Sequence, residues 1–155
     1  MKTHNILNIE EFKTNIGNNS RLLGIDPGSK NIGLAICDEN KKVATPLKVI
    51  QKTKFEILLK EIKEIINENN VKGIVVGNPL NMDGSDSEIK KDSDKFSDLI
   101  NKRYNVPVEL MDERLTTREA RARLKSEEGS FISSGKDTHQ IAAQIILENW
   151  FSENR

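Results

Sequence analysis

The stretch Arg21-Leu22-Leu23-Gly24-Ile25-Asp26-Pro27-Gly28-Ser29-Lys30-Asn31-Ile32-Gly33-Leu34-Ala35-Ile36-Cys37 sets two apolar runs on either side of a turn. Residues 21–26 read as a buried strand that ends on an acid. Pro27, Gly28 and Ser29 are turn formers, and residues 32–37 read as a second strand. So short a separation predicts an antiparallel hairpin.

Beyond the hairpin, residues 43–50 predict a third strand, with Pro46 pointing to a sheet edge or a bulge. Phe55, Leu58, Leu59, Ile62, Ile65 and Ile66 recur at helical spacing, so residues 53–69 predict an amphipathic helix. Residues 73–76 form a short, wholly apolar run of the kind buried on both faces of a sheet. Ser85-x-x-Glu88 is a capping box, and a helix is expected from there to about residue 103. Residues 106–111 predict a fifth strand, residues 116–127 a polar helix, and residues 128–135 a loop. A closing helix is expected over residues 138–151. The pattern is a three-strand antiparallel meander followed by two strand–helix crossovers. It predicts an α/β fold with a five-stranded mixed sheet, the last two strands parallel, and helices on both faces. Residues 1–19 are a polar, Asn-rich extension, as consistent with a short helix over residues 9–16 as with a loose tail. Residues 20–155 form the single domain.

The 155 residues suit one domain with one core. The 24 basic and 24 acidic side chains cancel, so any nucleic-acid surface must come from local clustering. The single cysteine, Cys37, cannot form an internal disulfide, which suits a reducing compartment. No apolar run is long enough to span a membrane, and the start of the chain is too polar for a signal peptide. A cytoplasmic protein with no membrane partner is expected.

Asp26, Glu113 and the Asp137–His139 pair each sit at the end of a separate apolar segment. Acids that end buried strands are costly unless something positive compensates them, and a divalent metal is the commonest compensation. In open α/β sheets, ligands bind beyond the carboxyl ends of parallel strands, where Asp26 and Glu113 are expected. Gly28 would let a phosphate or metal approach the backbone, with Lys30 beside the incoming phosphate. The loop Gly77-Asn78-Pro79-Leu80-Asn81-Met82-Asp83-Gly84-Ser85 reads as a substrate loop at the same edge, or as a plain connection ending in a capping serine. Arg114, Arg118, Arg121 and Arg123 cluster after Glu113, either as phosphate contacts or as a solvated face. Asp137-Thr138-His139-Gln140 looks like an N-terminal cap, with His139 near a helix start for no apolar reason.

Three phrases in this order, Gly24-Ile25-Asp26-Pro27-Gly28-Ser29-Lys30-Asn31-Ile32-Gly33-Leu34-Ala35, Val75-Val76-Gly77-Asn78-Pro79-Leu80-Asn81-Met82-Asp83-Gly84-Ser85 and Asp112-Glu113-Arg114-Leu115-Thr116-Thr117, resemble the YqgF-type family. Its members carry the names pre-16S rRNA nuclease and Holliday-junction-resolvase-like protein. The resemblance covers residues 21–151. It implies an RNase H-like fold and a nuclease using Mg²⁺ or Mn²⁺ held by three acidic side chains. Asp26 and Glu113 match two of these. The third family acid stands three residues before a pair of small residues, here Ala142-Ala143, and that position is His139. Asp137, two residues earlier, would point about 200° away on a continuous helix.

Mg²⁺ prefers oxygen ligands, imidazole suits softer first-row metals, and a neutral imidazole adds no negative charge to hold a second cation. The expected outcomes are Mn²⁺ preference, use of one metal with His139 moving protons, or loss of nuclease activity. Added to the reading of the residues, the resemblance makes Asp26, Glu113 and His139 (or Asp137) the expected metal ligands, Asp26, Glu113, His139 and Asp137 the catalytic candidates, and Gly28, Lys30, Asn81, Arg114, Arg118 and Lys136 the expected substrate contacts. It favours processing at the 5′ end of precursor 16S rRNA, by a monomer or homodimer acting on small-subunit precursors. The alternatives are a resolvase-like DNA endonuclease and a non-catalytic RNA- or ribosome-binding module. Nucleotide binding of the actin-like kind, which needs two such domains, ranks last.

Overall fold

The computed structural model describes residues 12–13, 16, 20–28, 30–78, 88–112 and 135–154. In chain order these give β1 (Arg21–Pro27), β2 (Asn31–Cys37), β3 (Ala44–Gln51), α1 (Phe55–Asn69), β4 (Val71–Asn78), α2 (Glu88–Tyr104), β5 (Val108–Asp112) and α3 (Gly135–Asn154). The strands form one sheet in the order β3-β2-β1-β4-β5. β1, β2 and β3 pair antiparallel, whereas β1–β4 and β4–β5 are parallel. This is the expected meander with two parallel strands.

Strand alternation sends successive side chains to opposite faces and divides the core in two. Leu23, Ile25, Ile32 and Leu34 pack with Leu59 and Ile62 of α1 and Phe96 and Ile100 of α2. Leu22, Ala35, Cys37 and Val75 pack on the other face with Ala143, Ile146, Leu147 and Trp150 of α3. Phe12 and Ile16 join this second cluster at 0% and 7% exposure, so these two residues of the N-terminal extension are built into the core. Gly73 makes the room: a Cβ there would lie 2.6 Å from Ile16 Cγ2 and 3.1 Å from Phe12 Cζ.

Several element ends differ from expectation for local reasons. The β2–β3 turn is held by the Asp38 carboxylate, which accepts from the N–H groups of Lys42 (2.7 Å) and Val43 (2.9 Å). Val43 is left 60% exposed, and β3 begins one residue later. Asn70 closes α1 in the left-handed conformation (φ 53°), so β4 starts at once, at Val71. β5 waits until Val108 because Pro107 has no N–H to donate to the ladder; its carbonyl still accepts from Ile74 (2.9 Å). Pro46 shows both predicted features, since β3 is an edge strand and the register slips there, Leu34 facing Lys48 and Ala35 facing Pro46. α3 starts at Gly135 rather than Thr138, so position 137 lies inside the helix and not at its cap. The polar helix expected over residues 116–127 and the Ser85 end of the capping box lie outside the described residues.

Candidate active site

Asp26 is the next-to-last residue of β1, and alternation with Leu22 and Gly24 turns it to the α3 face. It is 4% exposed. A carboxylate this buried needs a compensating partner, and Nδ1 of His139 lies 2.9 Å from its Oδ2. His139 belongs to the second turn of α3, and its side chain is 30% exposed, which leaves the pair open to solvent on one side.

Glycines allow this approach. Gly33 is the cross-strand partner of Asp26 on β2. A Cβ at Gly33 would meet the His139 carbonyl oxygen at 2.1 Å and the Gln140 nitrogen at 2.7 Å. One turn further along the helix, a Cβ at Gly24 would lie 2.9 Å from the Ala143 carbonyl oxygen. The backbone of α3 therefore rests directly on the backbone of β1 and β2. Gly28 completes the arrangement, since a Cβ there would meet Asn31 O at 2.3 Å and His139 Cε1 at 2.8 Å. The imidazole lies over the turn that follows Asp26.

Of the residues singled out from the sequence, Asp26, Gly28 and His139 come together. Lys30 is exposed in the same turn, and its carbonyl accepts from the Lys52 N–H (2.8 Å). Lys136 and Asp137 lie on the first turn of α3, their side chains outside the described residues. Glu113, Arg114, Arg118 and Asn81 also lie outside them. Glu113 directly follows β5, whose residues Glu109 and Met111 reach the α3 face: Trp150 Nε1 donates to Glu109 Oε1, and Met111 packs against the α3 cluster. Among the described residues no group of three or more His, Cys, Asp or Glu side chains is placed to hold a metal.

The Asp26 carboxylate and the His139 imidazole are donors that suit a divalent ion. Two adjacent ligands about 2.1 Å from an octahedral ion stand about 3.0 Å apart, close to the 2.9 Å between Asp26 Oδ2 and His139 Nδ1. Sequence reasoning missed Gly33 and Gly24 as the residues that set this spacing. Their signal was present in the stripe of small residues Gly24, Gly33, Ala35, Ala142 and Ala143.

A five-stranded mixed sheet in this order, with helices on both faces, defines an RNase H-like fold. The fold matches Thermus thermophilus RuvC, solved in complex with a Holliday junction substrate, with a TM-score of 0.56 at 12% identity over 86% of this chain and 95% of that one. It also matches the fowlpox virus Holliday junction resolvase, with a TM-score of 0.54 at 12% identity over 87% of this chain and 99% of that one. The family described as RuvX: Holliday junction resolvase matches residues 20–153, and the chain belongs to that family. A relative from Pelagibacter ubique is 46% identical over 112 residues, 72% of this chain and 74% of its own. One from Rickettsia bellii is 35% identical over 143 residues, 92% of this chain and 93% of its own. Both carry the name "Putative pre-16S rRNA nuclease". The YqgF-type resemblance read from the three phrases is borne out.

Proposed function

We propose that this chain is a metal-dependent nuclease that hydrolyses phosphodiester bonds at the 5′ end of precursor 16S rRNA in the cytoplasm. The observation that carries this reading is the 2.9 Å contact between buried Asp26 and His139 at the carboxyl end of a parallel strand, in a chain of this family. The names of the relatives favour the rRNA substrate. No helix among the described residues is long and apolar enough to cross a membrane.

In this reading Asp26, Glu113 and His139 hold Mn²⁺ or Mg²⁺. When bound, the ion lowers the pKa of an attacking water and offsets charge on the phosphate. Burial fixes the Asp26 carboxylate in place. In the neutral imidazole the hydrogen sits on one ring nitrogen at a time. With it on Nδ1, His139 donates to Asp26 and its Nε2 can accept a proton from water. With it on Nε2, Nδ1 offers a lone pair to the ion. Position 137 falls about 200° round the helix from position 139, so His139 rather than Asp137 is the ligand in this reading. Gly28 leaves room for the His139 ring beside the turn, and Lys30, Arg114 and Lys136 hold neighbouring phosphates. Asn81 and Arg118 extend those contacts. Trimming of a single RNA strand needs one copy of the chain, whereas symmetric junction cleavage asks for a two-fold dimer.

The test is hydrolysis of structured precursor RNA with Mn²⁺, comparing the wild-type protein with Asp26→Asn. The asparagine keeps the shape and a hydrogen-bond acceptor for His139, so a loss of at least about a hundredfold in rate, the range seen when one electrostatic partner is removed, would reflect chemistry rather than unfolding. Equal rates would end the proposal. A four-way DNA junction run alongside tests the resolvase alternative.

A second reading draws on the same contact. His139 satisfies the Asp26 carboxylate without any metal, which suits a binding module that kept the fold and lost the chemistry. Calorimetric titration with Mn²⁺ separates the two, since absence of binding favours the module.

A further inference from the structure

The charge balance of the whole chain hides a local asymmetry. Between Asn40 and Phe55 there are five lysines, Lys41, Lys42, Lys48, Lys52 and Lys54, and no acid. This run forms the edge of the sheet: β3 has β2 as its only neighbour in the strand order. Lys42, Lys48 and Lys54 are exposed, and Lys41 and Lys52 are half-exposed. Of the acids that flank the run, Glu39 is exposed in the β2–β3 turn, whereas Asp38 and Glu56 are already engaged. Asp38 accepts from the Lys42 and Val43 N–H groups, and Glu56 takes both arms of Arg103 at 2.7 Å. At its carboxyl end the run meets the turn that follows Asp26 through the Lys52–Lys30 backbone hydrogen bond, two residues from Gly28. The eight residues of β3 extend about 26 Å at roughly 3.3 Å each.

We propose that the β3 edge, from Lys42 through Lys48 to Lys54, is a docking margin along which an RNA strand runs after leaving the candidate site. The assignment of RNA rests on the nuclease reading above. Lysines also keep edge strands from pairing with other chains, as do Pro46 and the bulge beside it. An edge guard needs only about one or two charges, however, and here five lysines run from Lys41 to Lys54 with no acid between them, ending beside the turn that follows Asp26. Phosphate contacts of this kind carry affinity and salt dependence but no sequence information.

The experiment measures binding of a labelled stem-loop RNA in EDTA, where hydrolysis is not supported, across a range of KCl concentrations. Three proteins are compared: wild type, the edge variant Lys42→Gln/Lys48→Gln/Lys54→Gln, and the control Lys60→Gln/Lys72→Gln/Lys102→Gln. The two variants have the same net charge, and thermal melting verifies that each is folded. Removing one lysine–phosphate pair should reduce the slope of log K against log salt by about 0.7 for single-stranded RNA. The edge variant is therefore expected to fall by about 2 units of slope and to bind at least about tenfold more weakly at low salt, while the control stays near wild type. A wild-type slope in the edge variant, or an equal fall in the control, overturns the margin. Tighter binding of the matching DNA stem-loop overturns RNA as its occupant. The two proposals fail separately: hydrolysis that ignores Asp26→Asn, with edge-dependent binding intact, removes the nuclease assignment alone. Asp26-dependent hydrolysis with unchanged edge-variant binding removes the margin alone.

Discussion

The two faces of the sheet are packed by opposite means. On the α1/α2 face, branched and aromatic side chains such as Ile25, Leu34, Leu59, Ile62 and Phe96 fill the space, so volume holds the helices away from the strands. On the α3 face, beside the site, glycines and alanines remove that volume, and helix backbone meets strand backbone at Gly24 and Gly33. Burial of large apolar groups stabilises the fold, while close backbone approach fixes a distance. The first face should govern whether the chain folds, and the second where His139 stands relative to Asp26.

The largest expected effect comes from the volume-packed face. Ile62→Ala, at a fully buried position, should lower stability by about 2–5 kcal/mol in denaturant unfolding and leave Mn²⁺ affinity of the folded protein unchanged. A parallel fall in affinity would show that the two faces are not separable. A smaller loss, about 1–3 kcal/mol, is expected for Gly33→Ala, because the new methyl would press on the His139 carbonyl. Here Mn²⁺ binding should disappear together with the Asp26–His139 pairing, and calorimetry showing wild-type affinity would contradict the division of labour between the faces.

The smallest effect belongs to the far end of α3. Burial raises the Glu109 carboxyl above its ordinary value of 4.5, partly offset by the hydrogen bond from Trp150. A raised acid favours the folded state when protonated, so this contribution is present below pH 4.5 and fades as pH climbs through the raised value. Glu109→Gln keeps an acceptor for Trp150. It should melt at a slightly higher temperature than wild type at neutral pH, with the advantage gone in acid; an advantage independent of pH would point to packing instead.

Much of the architecture was legible because the apolar runs and their turn residues are local signals. The hairpin around Pro27-Gly28 and the edge character of β3 at Pro46 follow from residues next to one another. The element ends that differ were decided at longer range. Gly135 reads as loop, yet it opens α3, since the first residues of a helix make no N–H bonds within it and a glycine there loses little. Phe12 and Ile16 are too sparse a pattern to predict burial; the space above Gly73, supplied by β4, accounts for it.

In the site, the order of residues was enough to put an acid at the end of a buried strand and a histidine near the start of the last helix. It could not decide whether position 137 or 139 would face Asp26. That depends on where α3 begins, how it is turned about its axis and how near the sheet it lies. Contacts between residues remote along the chain, Gly33 with His139 and Gly24 with Ala143, set all three. Such contacts exist only once helix and sheet have packed, and it is that packing which brings His139 to within 2.9 Å of the carboxylate.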